Sequence, residues 1–253
     1  MNIENIQFNR GSINAVECVS SGWEIIKPNY MMFVGGVLIV ALLGCIPVAS
    51  WFLLGPLLVG VYAAMLKQYR GENADFGMLF SGFSKFFPAL VIGIIFMLPT
   101  ILLNTYNLTL RLVQLLAVFN PNELTAGAAT AFWIFGILLN LFVFIGSVLC
   151  WISFVFAMPL LAEHDLSIME TIRLSIRAGW ANVGGLILLM LLIGLMLIGG
   201  VLALCIGIFF VLPIVYAAIT VAYRQVFPIF NNPQGNMSSP ENYGTMPGQA
   251  QQY

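Results

Sequence analysis

The sequence predicts an all-α, polytopic membrane protein with six transmembrane helices, arranged as three pseudo-repeated hairpins with amphipathic interfacial helices. Three observations carry this. Hydrophobic residues make up 60% of the 253-residue chain and charged residues only 8%, whereas soluble domains carry about 25% charged residues. Four stretches, residues 28–66, 86–110, 124–162 and 178–223, contain no Asp, Glu, Lys or Arg and are 39, 25, 39 and 46 residues long. The third observation is where the Lys and Arg residues fall between those stretches.

A spanning helix takes about 20 apolar residues, so the first and last stretches hold two spans each and the second holds one. The third stretch opens with small, weakly apolar residues between Thr125 and Thr130, and one long helix over residues 131–160 is its simpler reading. With six spans and a cytoplasmic N-terminus, Arg10, Lys27, Lys67, Arg70, Lys85, Arg173, Arg177 and Arg224 lie inside and only Arg111 lies outside. A seventh span would move Arg173 and Arg177 outside and weaken the positive-inside bias. Both termini are therefore expected in the cytoplasm, with the chain in the plasma membrane. The first thirty residues lack a basic n-region followed by a short apolar stretch, so the first span is expected to do the targeting.

Taken in order, residues 14–20 open the chain as a surface helix, with Asn14 and Glu17 at capping spacing and Ile13, Val16 and Val19 on one side. Spans one and two follow, separated by the breakers Gly44 and Pro47 around Cys45 and Ile46. Residues 75–80 form a second, shorter surface stretch before span three. In the outer segment 104–130, Leu108, Leu112, Leu115, Leu116 and Phe119 alternate with Thr109, Arg111 and Gln114, a pattern that predicts a helix lying at the interface. After span four, residues 167–177 form the clearest amphipathic helix, with Ile168, Met169, Ile172 and Ile176 opposite Glu170, Arg173 and Arg177. Ser167 and Glu170 match a capping box. Gly199, Gly200 and Gly207 supply the break between spans five and six. The membrane domain is thus residues 1–230, and residues 231–253, rich in Asn, Gln, Pro and Gly, read as a disordered cytoplasmic tail.

Three Gly-aromatic pairs, Gly22-Trp23, Gly82-Phe83 and Gly179-Trp180, each precede an odd-numbered span. They are candidate interfacial hinges, because Gly tolerates a sharp turn and the aromatic ring suits the headgroup layer. Trp23 precedes Pro56 by 33 residues and Trp180 precedes Pro213 by 33. Val61, Tyr62, Ala63, Ala64, Tyr69 and Arg70 also match Val215, Tyr216, Ala217, Ala218, Tyr223 and Arg224, six identities in ten positions. Both patterns point to repeated hairpins, with convergent Leu- and Ala-rich composition as the alternative.

Gly55, Pro56, Leu57, Leu58 and Gly60, then Arg70, Gly71 and Glu72, then Leu79, Phe80, Gly82 and Phe83, with Pro159, Leu160, Ser175, Tyr223 and Arg224 later, give the chain a resemblance up to Phe230. It resembles uncharacterised bacterial six-helix integral membrane proteins related to the membrane domain fused to some glycerophosphodiester phosphodiesterases. The resemblance implies an architecture more than an activity, and the phosphodiesterase domain itself is absent.

The chemistry-bearing residues are few. A net charge of −1 offers no basic surface for phosphates, which excludes nucleic acid as the main partner. Glu163, His164 and Asp165, with Glu170, are the one candidate acid-base cluster, against the plainer reading of a solvated loop and helix cap. No cofactor, metal or catalytic residue is expected. Asn140 is the candidate intramembrane polar residue, lining a solute path or, more simply, bonding a neighbouring helix. Pro56, Pro159 and Pro213 either kink their spans for packing or break them to build a site. Cys45 and Cys205 fall near outer turns, where a disulfide is the alternative to a filler role. The expected function is that of a non-enzymatic multi-pass membrane protein with membrane lipids and other membrane proteins as partners. The alternative is a small-solute transporter or channel-like permease.

Overall fold

A computed structural model describes residues 6–44, 46–119, 126–203 and 206–228. Among them there are helices and no strand. Six segments are long and apolar enough to cross a membrane: Ala15–Leu43, Trp51–Tyr69, Phe76–Pro99, Trp133–Glu163, Val183–Leu202 and Gly207–Val226. The protein is a six-span, all-helical membrane protein, as the charge-free stretches require. The tail and the two cysteines expected near outer turns, Cys45 and Cys205, lie outside the described residues.

The first hairpin is α2 (Tyr30–Gly44) and α3 (Pro47–Tyr69), the second is α4 (Phe86–Phe119) with α5 (Ala126–Phe154) and α6 (Ala157–Glu163), and the third is α8 (Val183–Leu202) with α9 (Gly207–Val226). A surface segment precedes each: α1 (Ala15–Ile26), a 3-10 segment (Phe76–Lys85), and α7 (Ile168–Ala181). Local chemistry fixes where these begin. Asn14 and Asp75 accept from the amides of Glu17 and Met78. Ser167 and Glu170 close the capping box, the Ser167 amide donating to Glu170 Oε2 at 2.9 Å.

The second helices of the hairpins form the centre. In Trp51–Tyr69 and Gly207–Val226, 56% of the apolar window is buried, against 28% or less in the other four spans. Of span four, the final helix α6 joins this centre, with Ala157, Met158, Leu160 and Leu161 all buried. A charge-free helix can be exposed in isolation only where lipid covers it, and the outer half of α5 is of that kind, with Trp133, Phe135, Leu138 and Phe142 open.

The three glycines expected as hinges do something else. Gly22, Gly82 and Gly179 lie inside their surface segments rather than at the turns, and none has positive φ, a state found at Gly11 and Gly71. Each is where a surface segment touches the backbone of a span. A Cβ on Gly22 would stand 2.8 Å from the Ala218 amide of α9, one on Gly82 would collide with the Pro56 carbonyl of α3, and one on Gly179 with the Ile152 carbonyl of α5. The seat of α7 is reinforced by Ser175 Oγ donating to the Ser153 carbonyl at 2.7 Å and Trp180 Nε1 to Ser153 Oγ at 3.2 Å. The chain turns elsewhere: after α1 at the 3-10 turn Lys27–Asn29, which holds Pro28, and after α7 at Asn182. Each surface segment thus sits on the second helix of a different hairpin: the first on the third, the second on the first, the third on the second.

Three further expectations are corrected. Residues 104–119 are not a separate interfacial helix but the continuation of α4, which is unbroken from Phe86 to Phe119; residues 120–125 lie outside the description. Span four is not one helix, because it is interrupted between Phe154 and Ala157. Pro159 has no N–H to give to the carbonyl four residues back, that of Val155, so the ladder opens there, whereas α3 and α9 continue through Pro56 and Pro213. Between spans five and six the break falls after Leu202, while Gly200 and Gly207 pack against each other across the turn, a Cβ on Gly207 meeting the Gly200 carbonyl at 2.7 Å.

Both ends of the described chain lie on one face. Asn9 donates its amide to the Val226 carbonyl at 2.8 Å and Gly11 to Ala181 at 3.3 Å. The buried Asn182 amide side chain accepts from Ser12 N at 3.0 Å and donates to the Asn9 carbonyl at 3.0 Å. This N-terminal strap ties the α7–α8 turn to the end of α9.

Candidate functional site

The densest polar cluster is on that same face, where α3, α6 and α9 end together. Each end is built locally. Helix α3 closes with Gly71 at φ +77°, and the Glu72 amide reaches back to the Lys67 carbonyl at 3.2 Å, the 6→1 bond of a Schellman motif, for which a left-handed glycine is needed. That stop places Arg70. Helix α6 ends at Glu163, and Lys85 caps it: Nζ donates to the carbonyls of Leu161 and His164 at 2.9 and 3.0 Å and pairs with Asp165 at 2.8 Å. A cation there also complements the negative end of the helix dipole. Helix α9 contributes Tyr223 and Arg224 from its last turn.

Glu163 is the hub. Its Oε1 accepts from Arg224 at 2.6 Å and its Oε2 from the Tyr223 hydroxyl at 2.7 Å. Arg70 stands 3.9 Å from Oε1 and His164 Nε2 stands 3.7 Å from Oε2. The side chain of Arg224 is 3% exposed and that of Glu163 is 17% exposed, while Arg70 at 40% leads out to solvent and to Glu72 at 3.2 Å. The Arg224 guanidinium also lies over the rings of Tyr69 at 5.7 Å and Tyr223 at 5.4 Å, an arrangement that favours a desolvated cation. Its Nε is buried without a hydrogen-bond partner.

Burial lowers the His164 pKa from its ordinary value, a shift that Glu163 opposes and Arg224 and Lys85 reinforce, so the imidazole is neutral near pH 7. The hydrogen bond and charge of Lys85 hold Asp165 below the usual carboxylate range. At neutral pH, Arg70, Lys85 and Arg224 are therefore balanced by Glu72, Glu163 and Asp165. One helical turn and more below the cluster, Tyr62 of α3 and Tyr216 of α9 meet edge to face with centroids 5.8 Å apart, and Thr220 donates to the Tyr216 carbonyl at 2.9 Å. Polar side chains thus continue down the line where the two central helices face each other.

Glu163 is not in a solvated loop, as the plainer sequence reading held, but is the last residue of α6 and the shared partner of spans two and six. Each of its carboxylate oxygens accepts one hydrogen bond, so Glu163 ties α6 to the end of α9. Asp165 is the exposed member, and Glu170 serves the α7 cap. Among the described residues Asn140 bonds within its own helix, its Nδ2 donating to the Gly136 carbonyl one turn back in α5 at 2.8 Å. The convergence of Arg70 and Arg224 escaped sequence reasoning, although the matched Tyr69-Arg70 and Tyr223-Arg224 pairs were its signal. The chain matches no protein-family model, and no curated protein or solved structure is similar to it.

Proposed function

We propose that the protein is a non-enzymatic multi-pass integral membrane protein of the plasma membrane, with both termini in the cytoplasm, acting through membrane lipids and other membrane proteins. The observation that supports this is the belt of three surface segments seated around the face that carries the chain ends. The belt presents Trp23, Phe76, Phe80, Phe83 and Trp180 outward, and Phe76, Phe80, Phe83 and Phe86 run in a ladder with centroids 6.5, 6.3 and 6.3 Å apart. Exposed aromatic side chains of this kind suit the headgroup layer. The eight-to-one division of Lys and Arg favours an inside position for that face. The sequence resemblance to six-helix membrane proteins fits this reading, since that group implies an architecture rather than an activity, and three related hairpins would generate the recurrent seating.

The alternative, a permease for a small solute, draws on the axial line of Tyr62, Tyr216 and Thr220 closed at one end by Glu163 and Arg224, because polar side chains facing the interior of a bundle of spans can line a solute path. Purified protein in liposomes separates the two. Retained phospholipid without solute flux supports the first reading; facilitated uptake of a neutral solute, abolished when Tyr62 and Tyr216 are both replaced by Phe, replaces it with the second.

A further inference from the structure

Beside the Glu163 cluster is a groove of about 530 Å³ between the start of α4, the α6–α7 loop and the start of α7, within the usual size range of small-ligand sites. Its apolar wall includes Phe86, Phe87 and Leu166, and its polar side chains are Ser84, Lys85, Asp165 and Ser167. Phe86 and Phe87 open span three and are exposed, which puts the groove at the level where hydrocarbon gives way to headgroups.

Its charges are one of each sign. The Lys85 ammonium is fixed by the Leu161 and His164 carbonyls, so its charge stays at the back of the groove whatever binds. Asp165 is 93% exposed, and only its Oδ1 is engaged, with Lys85 at 2.8 Å. Ser167 Oγ accepts from the Glu170 amide at 3.4 Å, and its hydroxyl bonds the Glu170 carboxylate in the capping box. A purely anionic headgroup would meet the Asp165 carboxylate, and a purely cationic one would meet Lys85. A headgroup with both charges meets an opposite partner for each.

Resting on the lipid reading above, we infer that this groove binds a bilayer phospholipid whose headgroup joins a phosphodiester to a primary ammonium, as in phosphatidylethanolamine. The ammonium donates to the free oxygen of Asp165, the phosphodiester faces the Lys85 charge, and the first acyl carbons lie along Phe86, Phe87 and Leu166. A quaternary ammonium has no N–H for Asp165, so phosphatidylcholine loses that bond, and phosphatidylglycerol has no cation to offer.

The test is native mass spectrometry of the full chain released from nanodiscs of equimolar phosphatidylethanolamine, phosphatidylcholine and phosphatidylglycerol. Phosphatidylethanolamine should be retained about fivefold over each of the others, the discrimination available from one exposed charge-assisted contact. Asp165→Asn should bring phosphatidylethanolamine down to parity with phosphatidylcholine, while loss of the exposed Lys85 pair lowers the melting temperature in phosphatidylcholine discs by no more than about 2 °C. Phe87→Ala should reduce retention of all three. Lipid retained without headgroup preference, or a preference that survives Asp165→Asn, overturns this inference and leaves the lipid reading standing. No retained lipid together with solute flux overturns both.

Discussion

Arg224 and Glu163 lie 61 residues apart in the chain and belong to different hairpins, yet their side chains meet at 2.6 Å with Arg224 almost wholly enclosed. A second cation, Arg70 of the first hairpin, waits 3.9 Å from the same oxygen. The carboxylate has a reserve partner and the guanidinium has none.

That asymmetry gives the first prediction. Glu163→Gln strands a buried guanidinium and should destabilise by about 3 kcal/mol, the cost of leaving a buried charge unpaired. Arg224→Met should cost less, because Arg70 can close on Glu163. Removing both arginines should cost more than the two single changes added, so melting curves of the four proteins form a cycle that checks it. Additive costs would mean that Arg70 does not share the carboxylate.

The glycine seats give the second. Alanine at Gly82 or Gly179 drives a Cβ into a carbonyl of the facing span, and folded yield in mild detergent should fall sharply, with a loss of about 2 kcal/mol or more. Alanine at Gly146 or Gly194, where nothing lies within 4 Å, should be neutral or stabilise by up to about 1 kcal/mol through helix propensity. Gly185 belongs with the first class, since a Cβ there meets Ile13 of the strap at 2.6 Å.

A third prediction concerns pH. Burial holds the folded-state pKa of His164 below 6.5, so on acidification the unfolded chain takes up this proton before the folded one does. Stability from this group is full above 6.5 and is lost as pH falls through the folded value. Melting temperature should therefore drop between pH 7.5 and 5.5, and His164→Gln should remove about 2 °C of that drop. The remaining slope belongs to carboxylates such as Asp165, whose loss sets in at lower pH. An unchanged slope in the variant would assign none of it to His164.

The fourth is topological. Reporters fused after Lys67, Thr125, His164 and Tyr253 should read inside, outside, inside and inside. An outside signal at His164 contradicts the cytoplasmic placement of the aromatic belt and of the lipid groove.

What could be read from the sequence were features set by neighbours in the chain. Runs without charge located the spans, and the Ser167-Glu170 and Asn14-Glu17 spacings located surface helices to within a residue of their caps. What could not be read were features set by partners distant in sequence. The positions of Gly22, Gly82 and Gly179 before odd-numbered spans were visible, but whether a glycine supplies a bend or a flat place for another backbone depends on what lies across from it. Glu163 looked like a solvated loop residue for the same reason: nothing within ten positions of it announces Arg224. The break before Ala157 was legible in principle from Pro159, but Pro56 and Pro213 sit in helices that tolerate them, so proline alone did not decide.

The circular seating of the surface segments constrains how the protein can be made. The 3-10 segment and α7 each emerge after the helix they rest on, and can settle as soon as they are translated. Helix α1 rests on α9 around Ala217 and Ala218, the last of the six spans to leave the ribosome. At about 5–20 residues per second, Gly22 waits roughly 10–40 s for its partner. During that interval the first surface helix has a bare backbone face and no place to dock, and the ring of hairpins is open. A chain that stops before span six therefore lacks the surface on which its first surface helix rests.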